Sequence, residues 1–223
     1  LSSREAYAHR PQAVVVKETH MSWVFVAGDR VYKLKKPVHY PFLDFRSIAA
    51  REKNCREELR LNRRLAPDVY LGVVPLTIDA KGGLAVAGQG DAVDWLVEMR
   101  RLPENLMLDR AILTKGIVRG QSDHLDAVVH LLTEFFKSRP PAEISPESYV
   151  KRFAREHAIN EAVLSDPRFD LDGAEVNDAL ARVSKGLEDG AAGLEERVKG
   201  GHIVEGHGDL RPEHICLLDP PVI

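Results

Sequence analysis

Between residues 14 and 100 the apolar positions recur mostly at the two-residue period of strands. Val14, Val15 and Val16 form a β-branched run, and "SWVFVAGDRVYKLKK" reads as two strands around a Gly28-Asp29 turn. Alternation on the second strand sets Val31, Lys33 and Lys35 on one face and Tyr32 and Leu34 on the other. Three more strand candidates, Val73–Ile78, Leu84–Ala87 and Asp94–Arg100, are separated by the turn-rich "DAKGG" and "GQGD". One interruption has a different period. After a loop from Pro37 to Pro41, "DFRSIAAREKNCREELRLNRRLAPD" reads as a long helix, with Asp44 or Ser47 as its cap and Pro67 past its end. Ile48, Cys55, Leu59 and Leu65 recur there at helical spacing and leave a charged opposite face.

From Pro103 onward the pattern is helical. "HLDAVVHLLTEFFKS" is amphipathic and is stopped by Arg139-Pro140-Pro141. "SPESYVKRFAREHAINEAVL" opens with a Ser145 cap and Pro146 at the first helical position. "GAEVNDALARVSKGLEDGAAGLEERVKGG" predicts one or two further helices ending at Gly200-Gly201, and short strands are expected again only at the end. This order predicts an α+β fold in two lobes. An antiparallel sheet with one inserted helix would occupy 1–102 and a mainly helical half 103–223. A connector around Leu102–Asn105 would join them, with a cleft between that is a common place for a ligand.

Composition narrows the function classes. A chain of 223 residues can bury a substantial core, and a formal net charge of -3 argues against a dedicated nucleic-acid or membrane-surface binder. Arg51, Lys53, Arg56, Arg60, Arg63 and Arg64 make the long helix basic, but Glu52, Glu57 and Glu58 interleave with them, which reads as a solvated face. No apolar run approaches the roughly 20 residues that span a bilayer. The start, "LSSREAYAHRPQ", has no basic head followed by an apolar block, so no secretion signal is expected. Cys55 and Cys216 stand far apart in apolar surroundings, which predicts reduced thiols and a cytoplasmic setting.

The candidate chemistry lies in "EGHGDLRPEHICLLDPPVI". Asp209 and His214 form the frame D-x-x-x-x-H, where kinase-type phosphotransferases use H-x-D-x-x-x-x-N. There the Asp orients or deprotonates the attacking hydroxyl, and the Asn gives Mg²⁺ a hard oxygen. Gly208 would permit a tight bend beside the carboxylate, and the His207 ring would brace the loop. The competing reading is a surface turn with a solvated Asp and His.

The chain resembles the aminoglycoside-phosphotransferase-like kinases, a branch of the protein-kinase-like fold. The matching stretches are "THMSWVFVAGDRVYKLKKPV", "CREELRLNRRLAPDVYLGVVPL", "WLVEMRRLPE" and "EGHGDLRPEHICLL". They occur in the family's order, cover about half the chain, and are most similar to a bacterial subgroup of unknown substrate. The resemblance implies transfer of the γ-phosphate of ATP to a hydroxyl of a small molecule, such as an aminoglycoside, a sugar or an amino alcohol. Asp209 would be the base. Lys35, with Lys33 as rival, would clamp phosphates, and Glu58, with Glu57 second, would orient the lysine. Backbone groups near Met99, Arg100 and Arg101 would pair with adenine. The turn "KETHMS" would cover the phosphates through backbone N–H groups and the hydroxyls of Thr19 and Ser22, since it lacks Gly-x-Gly.

Two departures from the family pattern carry expectations of their own. His214 replaces the usual asparagine, which implies altered binding of Mg²⁺ or a preference for Mn²⁺, with Glu213 as a possible oxygen donor. The family also places a metal-binding Asp immediately after residues like "PVI", where this sequence stops at Ile223. A longer protein is therefore expected, or a chain that is not a working kinase by itself. Open apolar surface would then favour a homodimer. The alternative function is a catalytically degraded, pseudokinase-like nucleotide-binding scaffold. In either case the Asp209 carboxylate and the Lys35 or Lys33 ammonium should face one crevice.

Overall fold

The structure, a computed structural model, describes residues 1–40, 43–115 and 122–223. Internal contacts divide it into one unit of Leu1–Phe135 with His207–Ile223 and a second of Phe136–Gly206. The change of sequence character at residue 103 falls inside the first unit.

The first unit is α+β. Its strands are β1 (Val14–Glu18), β2 (Ser22–Ala27), β3 (Arg30–Lys35), β4 (His39–Tyr40), β5 (Leu43–Asp44), β6 (Tyr70–Ile78), β7 (Leu84–Val86) and β8 (Asp91–Arg100). Six of them form an antiparallel sheet in the order β1-β2-β3-β8-β6-β7, and β4 pairs with β5. A two-residue turn at Gly28-Asp29 joins β2 to β3, with Ala27 opposite Arg30 and Gly28 at φ +68°. The loop expected over 37–41 holds β4 instead, and Pro41 lies outside the described residues.

Each face of the sheet has its own cover. Tyr32 and Leu34 alternate onto the face where Phe25, Ala27, Leu76 and Leu96 pack with Ala6 and Tyr7 of the N-terminal segment. Burying the larger of these, Phe25, Leu76 and Leu96, contributes on the order of 1.5–3 kcal/mol each. Lys33 and Lys35 alternate onto the other face, which α1 (Ile48–Asn62) covers. Of the two cap candidates Ser47 acts, accepting the Ala50 N–H at 3.2 Å. Expected as apolar stripe, Ile48 is 43% exposed; the buried face of α1 is made by Arg51, Cys55 and Glu58 at i, i+4 and i+7.

Two helices follow, α2 (Leu108–Lys115), which the sequence reading lacked, and α3 (Ser122–Lys137). Ala111, Val128 and Phe135 pack with Leu65 and with Ile215, Leu217 and Ile223 of the C-terminal segment. That segment was expected to form strands. It makes only isolated bridges, Met107 to Cys216 and Cys216 to Val222, because Pro212, Pro220 and Pro221 have no N–H to continue a ladder. Its backbone is held by Leu108 N–H to the Ile215 carbonyl and Leu217 N–H to the Leu106 carbonyl, at 2.9 and 2.8 Å.

The second unit is a helical hairpin of α4 (Pro146–Leu164) and α5 (Gly173–Lys199). Ser145 and Asp172 cap the two helices, and the 173–199 stretch forms one helix rather than two. His157 Nε2 and Ser184 Oγ join them at 2.7 Å, while Ile159, Phe169, Leu171 and Val183 are exposed. No helix among the described residues is long and apolar enough to cross a membrane.

Candidate functional site

β3 presents two ammonium groups to one carboxylate. Lys33 Nζ lies 2.9 Å from Glu58 Oε1, and Lys35 Nζ lies 2.5 Å from Glu58 Oε2. Residues two apart on a strand project to the same side, and that side faces α1. The side chains differ in exposure: 33% for Lys33, 5% for Lys35 and 13% for Glu58. Lys35 also sits 5.5 Å over the Phe45 ring. Burial pushes the Glu58 carboxyl up, but the charges and hydrogen bonds of Lys33 and Lys35 outweigh it and hold the group below its usual value. Two cations against one anion leave a unit of positive charge in excess, and Lys33 carries it toward solvent. The second glutamate candidate, Glu57, pairs with exposed Arg60 at 2.6 Å instead.

Sequence reasoning missed a second buried pair on the same helix face. Arg51 Nε lies 2.9 Å from Asp94 Oδ1, and its Nη1 donates to the Phe45 and Arg46 carbonyls at 2.8 and 3.1 Å. Arg51 had been placed on the solvated face; its spacing of seven from Glu58 was the signal that both share the inner one. Other arginines on α1 and just past its end are also engaged. Arg56 pairs with Glu52, and Arg63 donates to the carbonyls of Tyr70 and Leu71.

The β1–β2 turn and the end of β8 use many of their polar groups internally. Thr19 Oγ donates to the Ser22 carbonyl and accepts the Ser22 N–H at 3.1 and 3.0 Å, so this hydroxyl closes the turn. Ser22 is buried opposite Lys35. Met99 pairs with Val31 and Tyr70 inside the sheet. The Arg100 and Arg101 N–H groups donate to the Val69 and Asp29 carbonyls, each at 2.8 Å. Just beyond, Arg101, Leu102, Pro103, Glu104 and Asn105 line an open hollow of about 560 Å³ with Asp29.

The terminal loop is built around a glycine. Gly208 has φ +84° with open space where a Cβ would lie, so it is needed for the backbone turn and not for room. His207 Nδ1 accepts the Asp209 N–H at 3.3 Å, and His214 Nδ1 donates to the Asp209 carbonyl at 2.7 Å, tautomers assigned from these partners. Burial pushes the His207 pKa down and nearby His214 adds to the effect, against the pull of Asp209. The Asp209 carboxylate is exposed and pairs with Arg211 Nε at 3.1 Å.

His207 and Glu58 line one cavity of about 190 Å³, together with Asn54, Leu61, Arg64 and Leu65. The site residues brought together are therefore Lys33, Lys35 and Glu58 by direct contact, and His207 and Glu57 through this cavity. Asp209 follows two residues later in the same loop. The cavity is smaller than the ~300 Å³ at which ligand pockets usually begin.

The metal expectation does not fit these donors. Mg²⁺ requires near-octahedral oxygen ligands. Asp209 and Glu213 both face Arg211, and His214 has one nitrogen donating and the other turned to the same guanidinium. Among the described residues, no group of three His, Cys, Asp or Glu stands ready to hold a metal ion.

No family model matches the chain. Over 210 residues, 92% of its length, it is 35% identical to Uncharacterized protein Rv2004c of Mycobacterium tuberculosis strain H37Rv and to Uncharacterized protein Mb2027c of Mycobacterium bovis. The match takes in 39% of each relative, so the chain spans about two fifths of the length of the curated relatives it matches.

Proposed function

We propose that the chain is the ATP-binding part of a phosphotransferase of the aminoglycoside-phosphotransferase-like type, acting on a hydroxyl of a small molecule in the cytoplasm. The observation that carries this reading is Glu58: it receives both β3 lysines and shares a cavity with His207 of the His-Gly-Asp loop. Excess positive charge beside that cavity would hold polyphosphate, and Asp209 follows His207 as the base. The acceptor oxygen would attack the γ-phosphorus, form the new P–O bond and pass its proton to the Asp209 carboxylate, while the β–γ bridging bond breaks and ADP leaves. Catalysis of this kind rests on positioning and electrostatics. No step of it depends on a metal held by this loop.

The test is ATP consumption with aminoglycosides, sugars and amino alcohols as acceptors, in wild type and in Asp209→Ala. Acceptor-dependent turnover that disappears in Asp209→Ala supports the reading. Equal turnover in both removes Asp209 from its role.

A second reading, a nucleotide-binding scaffold without transfer, is favoured by the pairing of Asp209 with Arg211. A carboxylate already facing a guanidinium is engaged where the acceptor hydroxyl would have to reach it. Thermal stabilisation by ATP that ignores divalent cations and brings no turnover would select it.

A further inference from the structure

Arg211 is the hub of the terminal loop. Its Nε lies 3.1 Å from Asp209 Oδ1, its Nη1 2.9 Å from Glu213 Oε1 and its Nη2 3.2 Å from His214 Nε2. Three neighbours that could each give a cation a lone pair thus converge on one guanidinium.

The backbone explains the convergence. A short 3-10 turn over Pro212–His214 is held by His214 N–H to the Arg211 carbonyl at 2.9 Å and Ile215 N–H to the Pro212 carbonyl at 3.2 Å. This curl returns Glu213 and His214 toward Arg211, and the positive φ of Gly208 turns the chain just before Asp209. The 2.7 Å bond from His214 Nδ1 to the Asp209 carbonyl closes the ring. With its proton on Nδ1, His214 offers its remaining lone pair, on Nε2, to the guanidinium.

We propose that Arg211 takes the place of a divalent cation among Asp209, Glu213 and His214, balancing one of the two carboxylate charges and engaging all three donors, so that the loop takes up neither Mg²⁺ nor Mn²⁺. A guanidinium suits that role. Its five donors lie in a rigid plane, it stays charged at any physiological pH, and it gives up water more readily than a compact ion. Mg²⁺ would have to shed tightly held water and also displace a group already bonded on three edges. The inference does not rest on the phosphotransferase reading, and it holds whether or not ATP binds.

Removing Arg211 leaves two carboxylates without their counter-ion and frees the His214 Nε2 lone pair, donors of the kind Mn²⁺ accepts once the loop draws them together around it. The experiment uses the full chain and Mn²⁺ as probe, read by paramagnetic broadening of the His207 and His214 ring signals and by electron paramagnetic resonance of free Mn²⁺. Wild type is expected to keep its line widths. Arg211→Met is expected to gain at least about tenfold in affinity at this loop, the weight of one charge-assisted hydrogen bond. Adding Glu213→Gln should remove the gain, and Arg211→Lys, a charge without the fork, should fall between. Broadening of wild type at the concentrations that broaden Arg211→Met would overturn the proposal. So would an Arg211→Met protein with unchanged circular dichroism and no gain in affinity. Because Arg211 is exposed, its replacement leaves the two cores untouched.

Discussion

The Lys35 ammonium meets the Glu58 carboxylate at 2.5 Å, and the same carboxylate takes Lys33 on its other oxygen. The two lysines are chemically alike but differ in surroundings, so their removal should have different consequences. Lys35→Met takes away a buried charge partner and should lower stability by about 3 kcal/mol. Lys33→Met, at the more exposed position, should cost less than about 1 kcal/mol. Urea unfolding of the two variants checks the difference in sign and size.

Glu58 makes the same cluster sensitive to acid. Its carboxyl is held below the ordinary 4.5 in the folded protein, so its stabilisation is complete above that value and fades as pH falls through the lower folded value. The gap in melting temperature between wild type and Glu58→Gln should therefore narrow as pH is lowered below 4.5 and stay constant above it.

Arg51 should prove as important as the sequence-chosen residues. Arg51→Met leaves Asp94 unpaired and the Phe45 and Arg46 carbonyls without their donor, at a cost of about 3 kcal/mol. Arg51→Lys should recover little of it, because an ammonium cannot reach the carboxylate and both carbonyls as the planar fork does. Chemical denaturation of the pair of variants decides this.

The His207 ring should titrate below 6.5, since burial and His214 disfavour its charged form. Its Nδ1 accepts the Asp209 N–H only when unprotonated. Lowering the pH below 6.5 should then erode stability, because the unfolded chain takes up the proton first. Ring-proton NMR gives the midpoint, and a wild-type value at or above 6.5 would contradict the placement.

Gly90→Ala tests the sheet. Gly90 has φ +115°, and an added Cβ would lie 2.1 Å from the Ile78 carbonyl oxygen. Strain and clash together should destabilise by more than about 2 kcal/mol, visible as a fall in melting temperature.

Strand alternation made Lys33 and Lys35 legible as one face, and residue type marked Ser145 as a cap and Ser47 as one of two candidates. The Gly28-Asp29 turn made β2 and β3 legible as neighbours, but the pairing of β3 with β8 was not legible, because it spans more than sixty residues and no local pattern encodes that. The buried face of α1 was hard to read for a physical reason: its inner positions are Arg51, Cys55 and Glu58, so apolar periodicity pointed to exposed Ile48. Glu58 was found through the resemblance, whereas Arg51 had no motif to mark it. The Arg211 hub depends on how 209–214 curl, which a linear frame of D-x-x-x-x-H does not contain.

The surplus ammonium at β3 is proposed to receive the phosphates of a nucleotide. Calorimetric titration with ATP and with adenosine, on wild type and Lys33→Met, addresses it most directly. Wild type should bind ATP well above adenosine, and Lys33→Met should lose at least about tenfold for ATP while adenosine is unchanged. Equal binding of ATP and adenosine by wild type, or undiminished ATP binding by Lys33→Met, would contradict it.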